Sequence, residues 1–219
     1  MSGFCNRALR GDLGYQAWLR WQPLENPPKI PHVVVCKGPD PLSQLAAAEL
    51  RLGLEQLLGE GVSPGEWKLE LSHEEGFRED GFTLDPRQHQ IRAANPRGLI
   101  YGVFALLREL AVRGTLPTHS VTSNPSAPIR YLNHWDNLDG TIERGYAGPS
   151  LFYAESTGFD WQVTRDLDRV TDYARLLASI GVNGCSLNNV NADDRALSPE
   201  GIQMLATLAE ALRVYGVQS

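Results

Sequence analysis

Leu50, Leu54, Leu57 and Leu58 stand at i, i+4, i+7 and i+8, one apolar face of a helix running from about Pro41 to a stop at Gly59 and Gly61. Before it, the unbroken apolar run "HVVVC" (32–36), closed by "KGPDP", predicts a short buried strand. "WKLEL" (67–71) alternates as a half-buried strand does. "GFTLD" (81–85) and "QIRAA" (90–94) flank "PRQH" and predict a hairpin. In "NPRGLIYGVFALLREL", Asn95 is placed to cap a helix with Pro96 at its first position. Ile100, Val103, Phe104, Leu107, Leu110 and Ala111 form a stripe to pack on the sheet.

The polar, Pro-rich stretch "PTHSVTSNPSAP" (117–128) marks a domain boundary, and the pattern changes after it. "IRYLN" (129–133) is strand-like. A helix follows over roughly 166–180, with Val170, Ala174 and Leu177 on one face and Gly181 as its stop. "VNGCSL" (182–187) is a second strand and "NNVNADDRALSPE" a loop. A helix over about 199–214 carries Ile202, Leu205, Leu208, Ala209 and Leu212, and "YGV" then enters a third strand. Strands alternating with helices of this length imply parallel pairing through crossovers.

The fold class is therefore α/β. A small N-terminal α/β sandwich domain is expected over 1–126, followed over 127–219 by the first β/α units of an incomplete (β/α)8 TIM barrel; a doubly wound sheet is the second choice. A whole barrel takes about 250 residues, and 91 follow position 128. The first 31 residues, with Trp18, Trp21 and several prolines, read as an arm that packs on the rest.

Composition narrows the function. The 219 residues are 42% hydrophobic and carry a net charge of −6. That argues against nucleic acid and against an anionic membrane surface, since both need clustered Lys and Arg. Cys5, Cys36 and Cys185 make no CxxC and no disulfide framework, and Cys36 and Cys185 read as small buried hydrophobes. Arg7, Arg10 and Asp12 interrupt the apolar core that a signal peptide needs, so a cytoplasmic location is expected. The apolar run "GLIYGVFALL" is too short to span a bilayer. HExxH, GxGxxG, GKS/T and GxSxG motifs are absent, and no cofactor or metal is expected.

"HWDN" (134–137) directly follows one strand and "NNVN" (188–191) the next. In parallel α/β folds ligands bind at the carboxyl ends of strands, which puts both clusters on one rim. A Trp face stacks on a pyranose, carboxylates and amides fork to neighbouring hydroxyls, and Arg144 suits an acidic sugar. Each residue also has a plainer reading. Trp135 packs at a barrel mouth, Asp136 and Asp139 cap a turn, and Glu143 pairs with Arg144. His134 is then a hydrogen-bonded core imidazole, the asparagines are loop formers, and Tyr146 and Tyr153 are packing residues. The charged run "HEEGFRED" (73–80) reads as a solvated loop.

The block "RYLNHWDNLDGTIERGYAGPSLFY" (130–153) resembles the most characteristic stretch of the family-67 α-glucuronidases, and "GVNGCSLNNVNA" (181–192) resembles the next. "GYQAWLRW" (14–21) and "RGLIYGVFALLREL" (97–110) are similar to that family's N-terminal domain. The resemblance implies hydrolysis, with inversion, of the α-1,2 link that holds (4-O-methyl)glucuronic acid on xylan-derived oligosaccharides. Inverting acid and base stand about 6.5–9.5 Å apart. In the family they lie on later barrel strands, so the resemblance assigns no catalytic residue before Ser219, and this chain alone is expected to be inactive. It assigns substrate binding to Trp135, Asp136, Glu143, Arg144, Asn189 and Val190. Trp135 and Val190 would sheathe the sugar's methyl-ether end, and Glu143, Arg144 and Asn189 would supply polar groups to the pocket. The implied partner is a glucuronoxylan-derived oligosaccharide, and the resemblance leaves room for a homodimer of the full-length enzyme. Two other readings stay open: a non-catalytic carbohydrate-binding or interaction module, and a fragment of a hexosaminidase-type glycosidase.

Overall fold

The computed structural model describes residues 19–59, 63–73, 75–156, 161–187 and 193–219. Two long helices form where the leucine periodicity and the caps place them. Helix α1 (Pro41–Leu58) starts at Asp40, whose Oδ1 accepts from the Ser43 amide at 2.8 Å, with Pro41 in the first turn. It buries Ala46, Ala47, Leu50, Leu54, Leu57 and Leu58. Helix α2 (Pro96–Arg113) starts at Asn95, which accepts from the Gly98 amide at 2.9 Å. It stops at Gly114, whose φ of +69° suits a residue with no Cβ and whose amide returns to the Leu110 carbonyl at 2.8 Å.

Both helices cover one face of a five-stranded sheet, ordered β1 (Val33–Cys36), β2 (Glu66–Leu71), β4 (Gln90–Ala93), β3 (Phe82–Asp85), β5 (Val121–Ser123). β1, β2 and β4 run parallel, and β3 is antiparallel to both β4 and β5. Alternation chooses the face of β2, β3 and β4, while the apolar run of β1, expected to be buried, turns only Val34 inward and leaves Val33 58% exposed. Trp67, Leu69, Leu84, Ile91 and Ala93 lie under the helices, while Lys68, Thr83 and Arg92 point the other way. The expected hairpin is the β3–β4 pair. Of the N-terminal arm, Trp21, Leu24 and Ile30 pack on the core, whereas Trp18 and Cys5 lie outside the described residues.

Strand β5 falls inside the stretch that reads as a boundary. Its three residues are exposed, so no apolar pattern announces it. Backbone pairing with β3 and a 2.9 Å contact between the Thr83 and Thr122 hydroxyls hold it. The run 73–80 is likewise not all solvated, because Asp80 is 1% exposed.

The chain then enters β6 (Tyr131–Asn133), helix α3 (Leu167–Ser179), β7 (Gly184–Ser186), a 3₁₀ turn (Asp194–Leu197) and helix α4 (Pro199–Arg213). β6 and β7 pair in parallel, and Gln218 adds a single parallel bridge to Gly184 where a third strand was expected. Helix α3 lies against α2 and α4 and buries Val170, Ala174 and Leu177. Helix α4 buries Leu208 and Leu212, but Ile202 in its first turn is 56% exposed, so the apolar face is a turn shorter than its sequence suggests. Among the described residues no helix is long and apolar enough to cross a membrane.

Two carboxylate-centred nodes join this β–α–β unit to the first layer, beside a 2.9 Å bond from Arg108 on α2 to the Ser179 carbonyl. Arg175 on α3 donates to both carboxylate oxygens of Glu49 on α1, and the Tyr215 hydroxyl donates to the same carboxylate at 2.6 Å. Arg130, just before β6, reaches Asp80 at 2.7 Å and donates to the carbonyls of Gly181 and Ala127, its guanidinium lying over the Tyr101 ring. Asp80 also accepts from Arg97 and Asn95, both at 2.8 Å. Burial pushes the Asp80 carboxyl up, but the hydrogen bonds from Arg130, Arg97 and Asn95 outweigh it and hold the group below the usual carboxylate range.

Candidate functional site

β6 and β7 end side by side. Asn133 and Ser186 are register partners, and the Ser186 hydroxyl donates to the Asn133 side-chain oxygen at 2.6 Å. The segments that leave both strands therefore start from one edge, as ligand sites of parallel sheets require. The Tyr153 hydroxyl ties them together by donating to the Leu187 carbonyl at 2.8 Å.

Residues 134–156 form a hydrogen-bonded frame. The Glu143 amide donates to the Trp135 carbonyl and the Asn137 amide to the Thr141 carbonyl, both at 2.8 Å. Asp139 closes the turn between them, as read from the sequence, by accepting from the amide and hydroxyl of Thr141. Ser150 donates to Asp136 at 2.5 Å and accepts from the amides of Phe152 and Tyr153.

Under this frame lies a polar-aromatic cluster. The His134 Nε2 stands 2.9 Å from the Tyr173 hydroxyl, and its Nδ1 is 3.7 Å from Asp136. The imidazole meets Phe152 and Tyr173 edge-on, at 4.9 and 5.4 Å between ring centres. Burial lowers the His134 pKa, against the pull of the Asp136 charge, so the neutral ring is favoured. The plainer reading of His134, a hydrogen-bonded core imidazole, fits this geometry. Burial also raises Tyr153 and Tyr173, and it pushes the Cys185 thiol up to about 12 with help from Asp136. A thiol so placed is inert at neutral pH, as expected of a small buried hydrophobe.

The candidate binding residues separate by exposure. Trp135 is 40% exposed, whereas Asp136 is 6% exposed and turned inward to Ser150 and His134. Glu143 is half-buried with φ +58°, and Arg144 is exposed. Among the described residues neither side chain has an ion-pair or hydrogen-bond partner, so the plainer reading of the two, a Glu143–Arg144 pair, does not form. Asn189 and Val190 lie outside the described residues, as do Asn188 and Asn191. Tyr146 is 74% exposed and Tyr153 is buried. Nothing in the sequence pattern alone singles out Tyr173, Ser150 or Phe152. The spacing Phe152-Tyr153 after a Ser gives only a faint signal, and Tyr173 reads as one more helix residue. Beyond the frame, Arg195 pairs with Asp193 through Nε at 2.9 Å. That bond, with smaller contributions from the charges of Asp194 and Asp139, raises its pKa. Among the described residues no group of three His, Cys, Asp or Glu side chains could hold a metal ion.

This fold is shared with parts of two solved enzymes. One is a family GH138 enzyme targeting pectin rhamnogalacturonan II, with TM-score 0.55 and 14% identity over 87% of this chain and 30% of that one. The other is a family GH115 4-O-methyl-α-glucuronidase with specificity for decorated arabinogalactans, with TM-score 0.51 and 13% identity over 86% of this chain and 28% of that one. At such identities the likeness concerns the fold alone. Sequence is more specific, because residues 110–219 match the middle domain of glycosyl hydrolase family 67, and the chain belongs to that family. It is 35% identical to a probable α-glucuronidase A of Aspergillus oryzae, over 94% of this chain and 27% of the relative. It is 36% identical to the α-glucuronidase A of Aspergillus tubingensis over the same shares. The chain thus spans about a quarter of the length of these relatives.

Proposed function

We propose that this chain is the substrate-recognition portion of an α-glucuronidase that removes (4-O-methyl)glucuronic acid from xylo-oligosaccharides with inversion. Residues 127–219 begin a (β/α)8 barrel and residues 1–126 form the α/β domain that carries it. Three observations support the barrel reading. β6 and β7 are parallel, Gln218 takes a third parallel position, and Tyr131 and Leu132 on β6 remain 45% and 40% exposed.

One observation carries the recognition reading. At the carboxyl end of β6, a half-exposed Trp135 stands on the same internally bonded frame as Glu143 and Arg144, whose side chains have no partner among the described residues. A flat aromatic face offers stacking to a sugar ring, the guanidinium offers a fork to a uronate, and the carboxylate offers an acceptor to hydroxyls. Asp136 supports the loop from beneath. Asn189 and Val190 complete the pocket by family likeness. Proton transfer falls to carboxylates on barrel strands of the full-length protein.

The test is to incubate the chain with a xylo-oligosaccharide bearing a terminal 4-O-methyl-glucuronosyl group, following both binding and released uronic acid. Binding without release is expected. Release would place an acid and a base within this chain and overturn the assignment of proton transfer to other strands. Neither binding nor release would overturn the recognition reading.

A further inference from the structure

Glu143 carries a backbone conformation that side chains with a Cβ disfavour, φ +58°. Such strain persists only where surrounding contacts hold it. Here the holding group is Asn137. Its Nδ2 donates to the Glu143 carbonyl at 2.7 Å and to the Thr141 hydroxyl at 2.9 Å. The Thr141 hydroxyl spends its own proton on Asp139 at 2.7 Å, so it can only accept from Asn137. Both hydrogens of one amide are thus used, and the carbonyl acceptor fixes which way the amide faces. On the other side of the residue, the Glu143 amide is tied to the Trp135 carbonyl at 2.8 Å.

We propose that Asn137 is a positioning residue. By clamping Glu143 in the left-handed region, it sets where the Glu143 carboxylate and the Arg144 guanidinium stand relative to the Trp135 ring. The proposal rests on the recognition reading above, and it adds a residue that touches no ligand itself. It also explains why a strained glutamate, rather than a glycine, occupies this turn. A glycine there would offer no carboxylate to a ligand.

The test compares the chain with Asn137→Asp, which keeps the shape and removes the donor, and with the double variant Asn137→Asp, Glu143→Gly. One readout is hydrogen-exchange protection of the amide at position 143. The other is affinity for the 4-O-methyl-glucuronosyl xylo-oligosaccharide. Asn137→Asp should lower protection about tenfold and weaken binding about tenfold, the worth of a lost hydrogen bond. In the double variant protection should return, because glycine takes a positive φ without a clamp, while binding stays weak. A general packing role would not give that rescue. Trp135→Ala should weaken binding and leave protection at 143 unchanged.

Unchanged protection in Asn137→Asp, or lost protection that glycine does not restore, overturns the clamp. Unchanged affinity beside a wild type that binds overturns the positioning role. If the wild-type chain binds no probe, the recognition reading is what fails, and with it Asn137's role toward a ligand, while the exchange arm still decides the clamp. Should Asn137→Asp fail to fold, Asn137→Ser replaces it, since a hydroxyl is too short to reach both acceptors.

Discussion

Arg175 and Glu49, 126 positions apart in sequence, meet as a two-point fork, with Nε to Oε1 at 2.7 Å and Nη2 to Oε2 at 2.8 Å. Glu49 is 5% exposed, and the Arg175 guanidinium lies over the Phe104 ring. Desolvation works against the Arg175 charge, and the Glu49 bonds more than restore it. Glu49→Ala should strip a buried cation of its partner and the Tyr215 hydroxyl of its acceptor, costing about 3–5 kcal/mol in denaturant unfolding. Replacing both charges together, Glu49→Leu with Arg175→Met, should cost much less than the two single changes added.

Asp80 should behave as an acid-sensitive joint. Its carboxyl lies below the ordinary value, so the stability it contributes is fully present above the unfolded value of about 3.9 and is lost as pH falls through the folded one. Asp80→Asn leaves Arg97 and Arg130 without their shared counter-charge and should cost about 3–5 kcal/mol at pH 7. The gap between its melting temperature and that of the wild type should narrow from pH 5 downward. A gap independent of pH would refute the assignment.

His134 acts with the same sign in a milder range. Burial lowers its pKa, so its contribution is complete above the unfolded value of about 6.5 and declines as pH falls through the folded one. Wild-type melting temperature should therefore drop between pH 7 and pH 5. His134→Phe should flatten part of that slope, with His89, also lowered by burial, supplying a remainder. Melting curves across this range check it.

Gly98 in the first turn of α2 has no room for a side chain. A Cβ there would stand 2.6 Å from the Gly81 carbonyl oxygen, a backbone atom that cannot swing aside. Gly98→Ala should cost about 1–3 kcal/mol despite alanine's better helix propensity. A neutral or stabilising result would show that the hairpin backbone gives way.

Trp135→Ala should separate binding from stability. With 40% of the residue exposed, its removal should cost about 1–2 kcal/mol of unfolding, well below that of a fully buried Trp, and abolish measurable sugar binding. A large loss of stability would make Trp135 a packing residue after all.

Much of the fold is legible because local rules and tertiary packing agree. Asp40 and Asn95 cap the helices where their sequence places them, and Leu50, Leu54, Leu57 and Leu58 face the core. What escaped is non-local. β5 (Val121, Thr122, Ser123) is three exposed residues recruited by the edge of β3, too short and with a single apolar side chain, so no alternation advertises it. Asp80 looks like any other charge in a solvated run, and Glu49 like a surface residue of a leucine-rich helix, because their arginines arrive 17 to 126 positions later. At the candidate site, sequence chemistry singled out Trp135, Glu143 and Arg144 as polar-aromatic groups on a strand end. It could not tell that Asp136 turns inward, since that depends on Ser150 closing the loop. The Asn137 clamp was invisible for the same reason, being a matter of backbone angle rather than residue type.

The Glu49–Arg175 and Asp80–Arg130 joints have a mechanical consequence as a pair. A body held at one point can pivot, whereas a body pinned at two separate points cannot turn freely. The β6–α3–β7 unit is pinned to the first layer once through α3 and once just ahead of β6. The one rotation left to the unit is about the line through the two joints, so rearrangements across that line fall to the 134–156 segment rather than to its foundation.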